Sequence, residues 1–98
     1  MTDYVYDGRG SAIGFIRGRY IHDMRGRAIG QLNGSHVHKI SGSYVGELDR
    51  GMIVKQGFNY GNIGNSGNPG NAGSPGNPGN RGNDGRAYMD VSSDLLSD

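Results

Sequence analysis

Short runs of β-branched and aromatic residues recur along the first part of the chain. Tyr4-Val5-Tyr6 and Ala12-Ile13-Gly14-Phe15-Ile16 are two such runs, and glycine-containing turns such as Asp7-Gly8-Arg9-Gly10 separate them. Runs of about five residues bounded by glycine turns are typical of tight β-hairpins. The pattern predicts an all-β head built from consecutive hairpins.

This hairpin pattern repeats with a constant step of 16 residues. The first runs of the units begin at Tyr4, Tyr20, His36 and Met52, and the second runs begin at Ala12, Ala28 and Tyr44. A last second run, at 59–63, falls one residue short of this register, so the fourth unit is either truncated or taken over by the segment that follows. Four like units with short strands are expected to close into a pseudo-fourfold ring, because closure removes exposed sheet edges.

Side-chain alternation separates the two faces of the predicted strands. One face carries the aliphatic positions Val5, Ile21, Val37 and Ile53. In the second runs, glycines share a face with aliphatic residues, and strands are expected to approach closely there: Gly14 with Ile16, Gly30 with Leu32, Gly46 with Leu48, and Gly61 with Ile63. The aliphatic positions are therefore predicted to form the core.

The four units share the form V/I-x-D/K followed by I/V-G-x-I/L, and this pattern resembles the four-fold β-flower family over residues 4–63. The resemblance implies hairpin petals that close into a shallow barrel. That shape is similar to tubby-like lipid-binding barrels, so it suggests a membrane ligand by analogy alone. The irregular fourth unit departs from the pattern.

Composition changes sharply near residue 61 and divides the chain into a head (1–60), a Gly-x-x tail (61–87) and a short acidic C-terminal segment (88–98). Gly, Asn, Ser and Pro dominate residues 61–86, where Ile63 is the only large apolar side chain. Such a stretch cannot bury a core of its own. The C-terminal segment has three open interpretations: a plug that sets register, a strand that docks on another head, or a frayed end.

Glycine occupies every third tail position over nine triplets: Gly61, Gly64, Gly67, Gly70, Gly73, Gly76, Gly79, Gly82 and Gly85. Asparagine follows glycine in seven of these triplets: Asn62, Asn65, Asn68, Asn71, Asn77, Asn80 and Asn83. The period is typical of polyproline-II helices, and predicts either a collagen-like triple helix or a polyglycine-II-like bundle. A flexible linker is the alternative, but a linker does not need glycine at every third position.

The tail gives the first functional hypothesis: a structural protein whose tail drives homo-oligomer formation, as a trimer or a filament, and displays the head. The alternative is a multimeric binding module whose aromatic and basic mouth engages a lipid headgroup or a glycan. Five arginines in or beside turns would supply an anion-binding rim for that mouth: Arg9, Arg17, Arg19, Arg25 and Arg27.

Charge and cysteine content narrow the possible partners. The head carries eight Lys/Arg against five Asp/Glu, and residues 61–98 carry two against four. Because this offset is far from a dense basic stripe, no nucleic-acid partner is expected. The absence of cysteine excludes disulfides and thiolate metal sites.

Histidines are the remaining candidates for chemistry. His36 and His38 share a strand face, and His22 holds the equivalent place in the neighbouring unit, so the three are weak candidates for a zinc or copper site. No carboxylate or cysteine completes the set, and no Ser-His-acid order stands out, so no metal, cofactor or enzyme activity is expected.

The start of the chain, Met1-Thr2-Asp3, lacks a basic region, and neither a signal peptide nor a transmembrane run is expected. A surface or extracellular fibre and a cytoplasmic scaffold both fit this sequence.

Overall fold

A computed structural model describes residues 3–55, 61–67, 69–73, 75–76, 78–80, 89–90 and 95–96. The strands are β1 (Asp3–Tyr6), β2 (Ala12–Arg17), β3 (Tyr20–Asp23), β4 (Ala28–Asn33), β5 (His36–Lys39), β6 (Tyr44–Asp49), β7 (Met52–Lys55) and β8 (Met89–Asp90). Each strand pairs antiparallel with the next, and β1 pairs with β7 to close a seven-strand barrel. The predicted all-β ring is confirmed. Among the described residues, no helix is long and apolar enough to cross a bilayer.

The 16-residue repeat reappears in the strand register. A β-bulge interrupts the pairing within β1, β3 and β5 at the same point of the repeat, directly after Val5, Ile21 and Val37. Bulges bend and twist a strand, which helps short hairpins to close into a ring. We number the hairpins as petal 1 (β1 and β2), petal 2 (β3 and β4), petal 3 (β5 and β6) and petal 4 (β7 and β8).

The core lies inside this ring and follows the predicted face. Val5, Ile21, Val37 and Ile53 are each 0% exposed, so the sequence-based face assignment is confirmed. The second ring of aliphatic residues, Ile16, Leu32 and Leu48, packs partly buried against these four. Close strand approach is also confirmed at Gly14, where a Cβ would collide with the carbonyl oxygen of His22.

Petal 4 is assembled differently from the prediction. Its second strand is β8, and in its register Val54 lies opposite Asp90 and Lys55 opposite Met89; of the predicted run at 59–63, residues 59 and 60 lie outside the described residues. Gly61 and Ile63, which were expected to continue the strand pattern, lie outside the strands. The Gly-x-x tail is therefore an insertion between the two strands of petal 4, and that petal is neither truncated nor replaced by the tail.

Aspartates close the tip turns of the first two petals. In petal 2, Asp23 Oδ1 accepts hydrogen bonds from the backbone N–H of Arg25 (2.9 Å) and Arg27 (3.0 Å). Asp7 makes the same pair of bonds in petal 1. One carboxylate thus satisfies two turn amides that the strands leave unpaired.

Asp23→Ala is expected to lower the free energy of unfolding by about 1 kcal/mol, because both turn amides lose a charged acceptor but can still bond to water at the exposed tip. Urea unfolding would measure the change. Asp3→Ala is the matched control, since Asp3 is exposed at the start of β1, and it should stay within about 0.5 kcal/mol of the parent. Equal unfolding midpoints for the two variants would contradict the capping role.

Candidate functional site

The described part of the tail lies against the outside of the barrel. We name residues 61–67, 69–73, 75–76 and 78–80 the belt. The N–H of Ile63 donates to the Gly42 carbonyl (2.8 Å), and the N–H of Ala72 donates to the Gly26 carbonyl (2.7 Å). Gly42 and Gly26 are equivalent positions in petals 3 and 2, and the two belt residues that bind them are nine residues apart. Three triplets of belt therefore correspond to one petal.

The belt continues along petal 1. The Tyr4 hydroxyl donates to the carbonyls of Pro75 (3.2 Å) and Gly76 (3.3 Å). Further along, Asn80 Nδ2 donates to the Arg9 carbonyl (3.1 Å) at the tip of petal 1. The belt thus passes petals 3, 2 and 1 in that order before the chain returns to petal 4 as β8.

Glycine conformation in the belt departs from the polyproline-II prediction. Five described tail glycines have φ between 71° and 98°: Gly61, Gly67, Gly70, Gly76 and Gly79. A polyproline-II helix needs φ near −75° at every residue, so the belt is not a regular helix of that kind. The physical reason is that the belt follows the curved outside of the barrel, to which its backbone is bonded. Gly82, Gly85, Asn68, Asn77 and Asn83 lie outside the described residues.

Gln31 joins the belt to two petals. Its side chain is 1% exposed, and its Nε2 lies 3.1 Å from both the Lys39 carbonyl and the Gly64 carbonyl. Its Oε1 accepts a hydrogen bond from Arg19 (3.3 Å). Sequence reasoning missed Gln31, although it carries an amide where the equivalent position in petal 1 carries Phe15.

A groove of about 490 Å³ opens between the barrel and the belt. Arg17, Tyr20 and His22 line its barrel side, and belt residues 69–73 line the other side. Arg17, one of the five predicted rim arginines, lies beside the partly buried Tyr20 on this wall. The groove requires the belt as its second wall, which the sequence did not predict.

A family model described as the 4-fold beta flower protein matches residues 3–91. The chain belongs to the four-fold β-flower family. The match runs past residue 63, where the resemblance in the sequence ended, and takes in the belt and β8. No curated protein and no solved structure matches the chain.

The histidines of this β-flower hold backbone carbonyls. His22 and His38 are 5% and 1% exposed. His22 Nδ1 donates to the Gly26 carbonyl in its own petal (2.9 Å), whereas His38 Nε2 donates to the Gly61 carbonyl at the start of the belt (2.9 Å). His36 instead lies 3.4 Å from a carboxylate on β6. Within the described ranges, no group of three or more His, Asp or Glu side chains is placed to hold a metal ion.

The five arginines proposed as a rim are all exposed but do not form a single rim. Arg9, Arg25 and Arg27 lie at the tip turns of petals 1 and 2, and Arg17 and Arg19 lie at the turn between these petals. In an antiparallel sheet, successive turns fall at opposite ends of the strands. The β-flower therefore carries two separate basic groups, and of these five arginines only Arg17 lines the groove.

Proposed function

We propose that this β-flower is a structural protein that self-assembles through its belt. The contact surface is the row of glycines at every third belt position, which we name the glycine edge. Gly64 and Gly73 are the observation that supports it. Neither has a φ in the left-handed region, and no described atom beyond the chain neighbours lies within 4 Å of the position a Cβ would take. The monomer would accept alanine at both sites, so their place in the unbroken glycine phase fits a second backbone that approaches closely.

The other described tail glycines have a reason within the monomer. Their φ values, between 71° and 98°, lie in a region that costs an L-residue about 1–2 kcal/mol. The pattern of φ repeats after nine residues: Gly61, Gly70 and Gly79 are positive, Gly64 and Gly73 are not, and Gly67 and Gly76 are positive again. One such nine-residue unit separates the equivalent bonds to petals 3 and 2.

The belt has an inner and an outer edge. The third residues of four triplets face the head and are partly buried: Ile63, Ser66, Ala72 and Pro75. The seven described glycines are exposed, and a Cβ on any of them would meet open space. The outer edge therefore presents backbone without side chains, which suits close packing with the belt of a second copy.

Three described asparagines make hydrogen bonds within the chain. Asn62 Oδ1 accepts from the Tyr44 N–H (3.0 Å), and Asn65 Oδ1 accepts from the Gly67 N–H (2.7 Å). Asn80 donates to petal 1, as described above. These amides shape and anchor the belt within one chain, which leaves the glycine edge to carry contacts between copies.

The double variant Gly64→Ala/Gly73→Ala tests the proposal on the full-length protein. The parent is expected to form concentration-dependent oligomers or filaments, and the variant to stay monomeric at the same concentrations. Its melting temperature should be equal or higher, because alanine at a compatible φ stabilises by about 0.4–1 kcal/mol. Sedimentation velocity and negative-stain electron microscopy measure the assembly, and circular dichroism measures the melting.

Pro69→Ala/Pro78→Ala is the matched control, since both prolines are exposed belt residues outside the glycine edge. It should assemble like the parent. A parent that stays monomeric at every concentration, or a Gly64→Ala/Gly73→Ala variant that assembles like the parent, would exclude the glycine edge as the interface.

A further inference from the structure

We propose that the groove between Tyr20 and the belt binds a sugar acid, meaning a hydroxylated ring of monosaccharide size that carries a carboxylate. The inference goes beyond self-assembly and does not depend on it, because the groove lies between the belt and the barrel and the glycine edge faces outward. A volume of about 490 Å³ falls within the range of small-ligand sites.

His22 supplies the acceptor of this site. Its Nδ1 lies 2.9 Å from the Gly26 carbonyl, and since a carbonyl only accepts, Nδ1 carries the proton. In the neutral ring Nε2 is therefore an acceptor, and nothing in the described part of the chain bonds to it. The ring is 5% exposed and stacks on Phe15 with centroids 5.4 Å apart, so the groove wall is fixed before a ligand arrives.

Tyr20 supplies a flat apolar wall with a hydroxyl. The Arg19 guanidinium carbon lies 5.7 Å from the centre of the Tyr20 ring, and Arg19 is itself hydrogen-bonded to the buried Gln31. The tyrosine is thus held by a cation on its ring, while its hydroxyl has no hydrogen-bond partner among the residues described. A sugar ring can pack against such a surface and exchange a hydrogen bond with the hydroxyl.

Arg17 supplies the charge. It is exposed at the end of β2 and lines the groove, and its guanidinium makes no ion pair or hydrogen bond to any described residue. A free guanidinium can bind a carboxylate through two parallel hydrogen bonds. Unlike Arg19, it needs no rearrangement of the barrel to do so.

The combination of these groups selects the class of ligand. The Arg17 guanidinium favours an anion, and Nε2 of the neutral His22 ring accepts a hydrogen bond from a ligand that donates one. Inorganic phosphate has no ring to pack against Tyr20, and a neutral sugar leaves the arginine unpaired. A sugar acid offers both a carboxylate and hydroxyl donors in one ring.

Titration of the full-length protein with glucuronate, followed by ¹H–¹⁵N NMR, tests the site. We expect saturable shifts at Tyr20 and His22 and in residues 70–73, with millimolar affinity. Arg17→Gln should weaken the affinity by about tenfold or more, as expected for loss of a hydrogen bond to a charged group. Arg9→Gln is the matched control, because Arg9 is an exposed arginine at the tip of petal 1 and should leave the affinity unchanged.

Two further probes separate the sources of an anion. Inorganic phosphate and glucose should each bind more weakly than glucuronate. The proposal is overturned by an absence of saturable shifts, by equal affinity in Arg17→Gln and the parent, or by phosphate binding at least as tightly as glucuronate. Binding to anionic lipid vesicles without binding to glucuronate would assign the groove to a membrane and overturn it as well.

Discussion

Gly42→Ala and Gly26→Ala are each expected to detach the belt from one petal and to lower the free energy of unfolding by about 2–4 kcal/mol. A Cβ at Gly42 would collide with the Ile63 carbonyl, and a Cβ at Gly26 would collide with the Ala72 carbonyl. Both obstacles are backbone atoms that cannot rotate away. The glycines also have φ of 106° and 93°, so the substitution strains the turn as it pushes the belt off.

Gly34→Ala and Gly18→Ala are matched controls for the strain alone. These glycines lie in the other set of turns with φ of 65° and 63°, and a Cβ there meets nothing within 4 Å in the described structure. Each should cost about 1–2 kcal/mol, the usual penalty for an L-residue in this region. Urea unfolding gives the four values, and amide hydrogen exchange at Ile63 and Ala72 reports the belt. Equal losses in all four variants, with unchanged exchange, would mean that the belt contributes no stability at these turns.

The barrel could be predicted from the sequence because its signals are local and repeated. Petals 1 to 3 carry their own turn glycines, every petal carries an inward aliphatic residue, and the step of 16 residues places Val5, Ile21, Val37 and Ile53 at one level of the ring. A hairpin register depends on residues only a few positions apart. The hairpin pattern of a single unit is weak, but its repetition at a constant step makes the prediction of a hairpin ring clear.

The path of the tail could not be predicted in the same way. Its contacts with the head are mostly made by backbone groups, such as the N–H groups of Ile63 and Ala72, which every residue except proline possesses. The period that matters to the barrel is nine residues, and it is hidden within the simpler period of three. β8 is as hard to recognise, because two paired residues after a long polar insertion give no alternation to detect.

The sequence indicated a binding residue on the barrel wall of the candidate groove but did not indicate the belt wall. Arg17 was predicted as part of an anion-binding rim for an aromatic and basic mouth, and the structure places it beside Tyr20. The belt wall was not foreseeable without the path of the tail. His22 was considered a weak candidate for a metal site shared with His36 and His38. In the structure its Nδ1 donates to the Gly26 carbonyl of its own turn, and this local bond fixes the ring.

Leu95→Ala is expected to lower the free energy of unfolding by about 2–5 kcal/mol, the usual cost of truncating a buried leucine. Leu95 is 3% exposed and belongs to the same core cluster as Val5 and Ile21, so this side chain of the C-terminal segment is part of the barrel core. Leu96 is 48% exposed, which makes Leu96→Ala a control from the neighbouring position, with an expected change within about 0.5 kcal/mol. Equal unfolding midpoints in the two variants would place Leu95 outside the cooperative core.

A double variant at Gly30 and Leu95 tests directly whether Leu95 packs over Gly30. A Cβ at Gly30 would lie 2.8 Å from Leu95 Cδ1 and 3.1 Å from the His38 carbonyl oxygen. Gly30→Ala should therefore destabilise the parent, chiefly because the new methyl group displaces Leu95. In the Leu95→Ala background that obstacle is gone and the methyl group fills part of the cavity, so the double variant should be more stable than the two single losses imply, by about 1 kcal/mol or more. Strictly additive losses in urea unfolding would show that Leu95 does not occupy the space above Gly30 in solution.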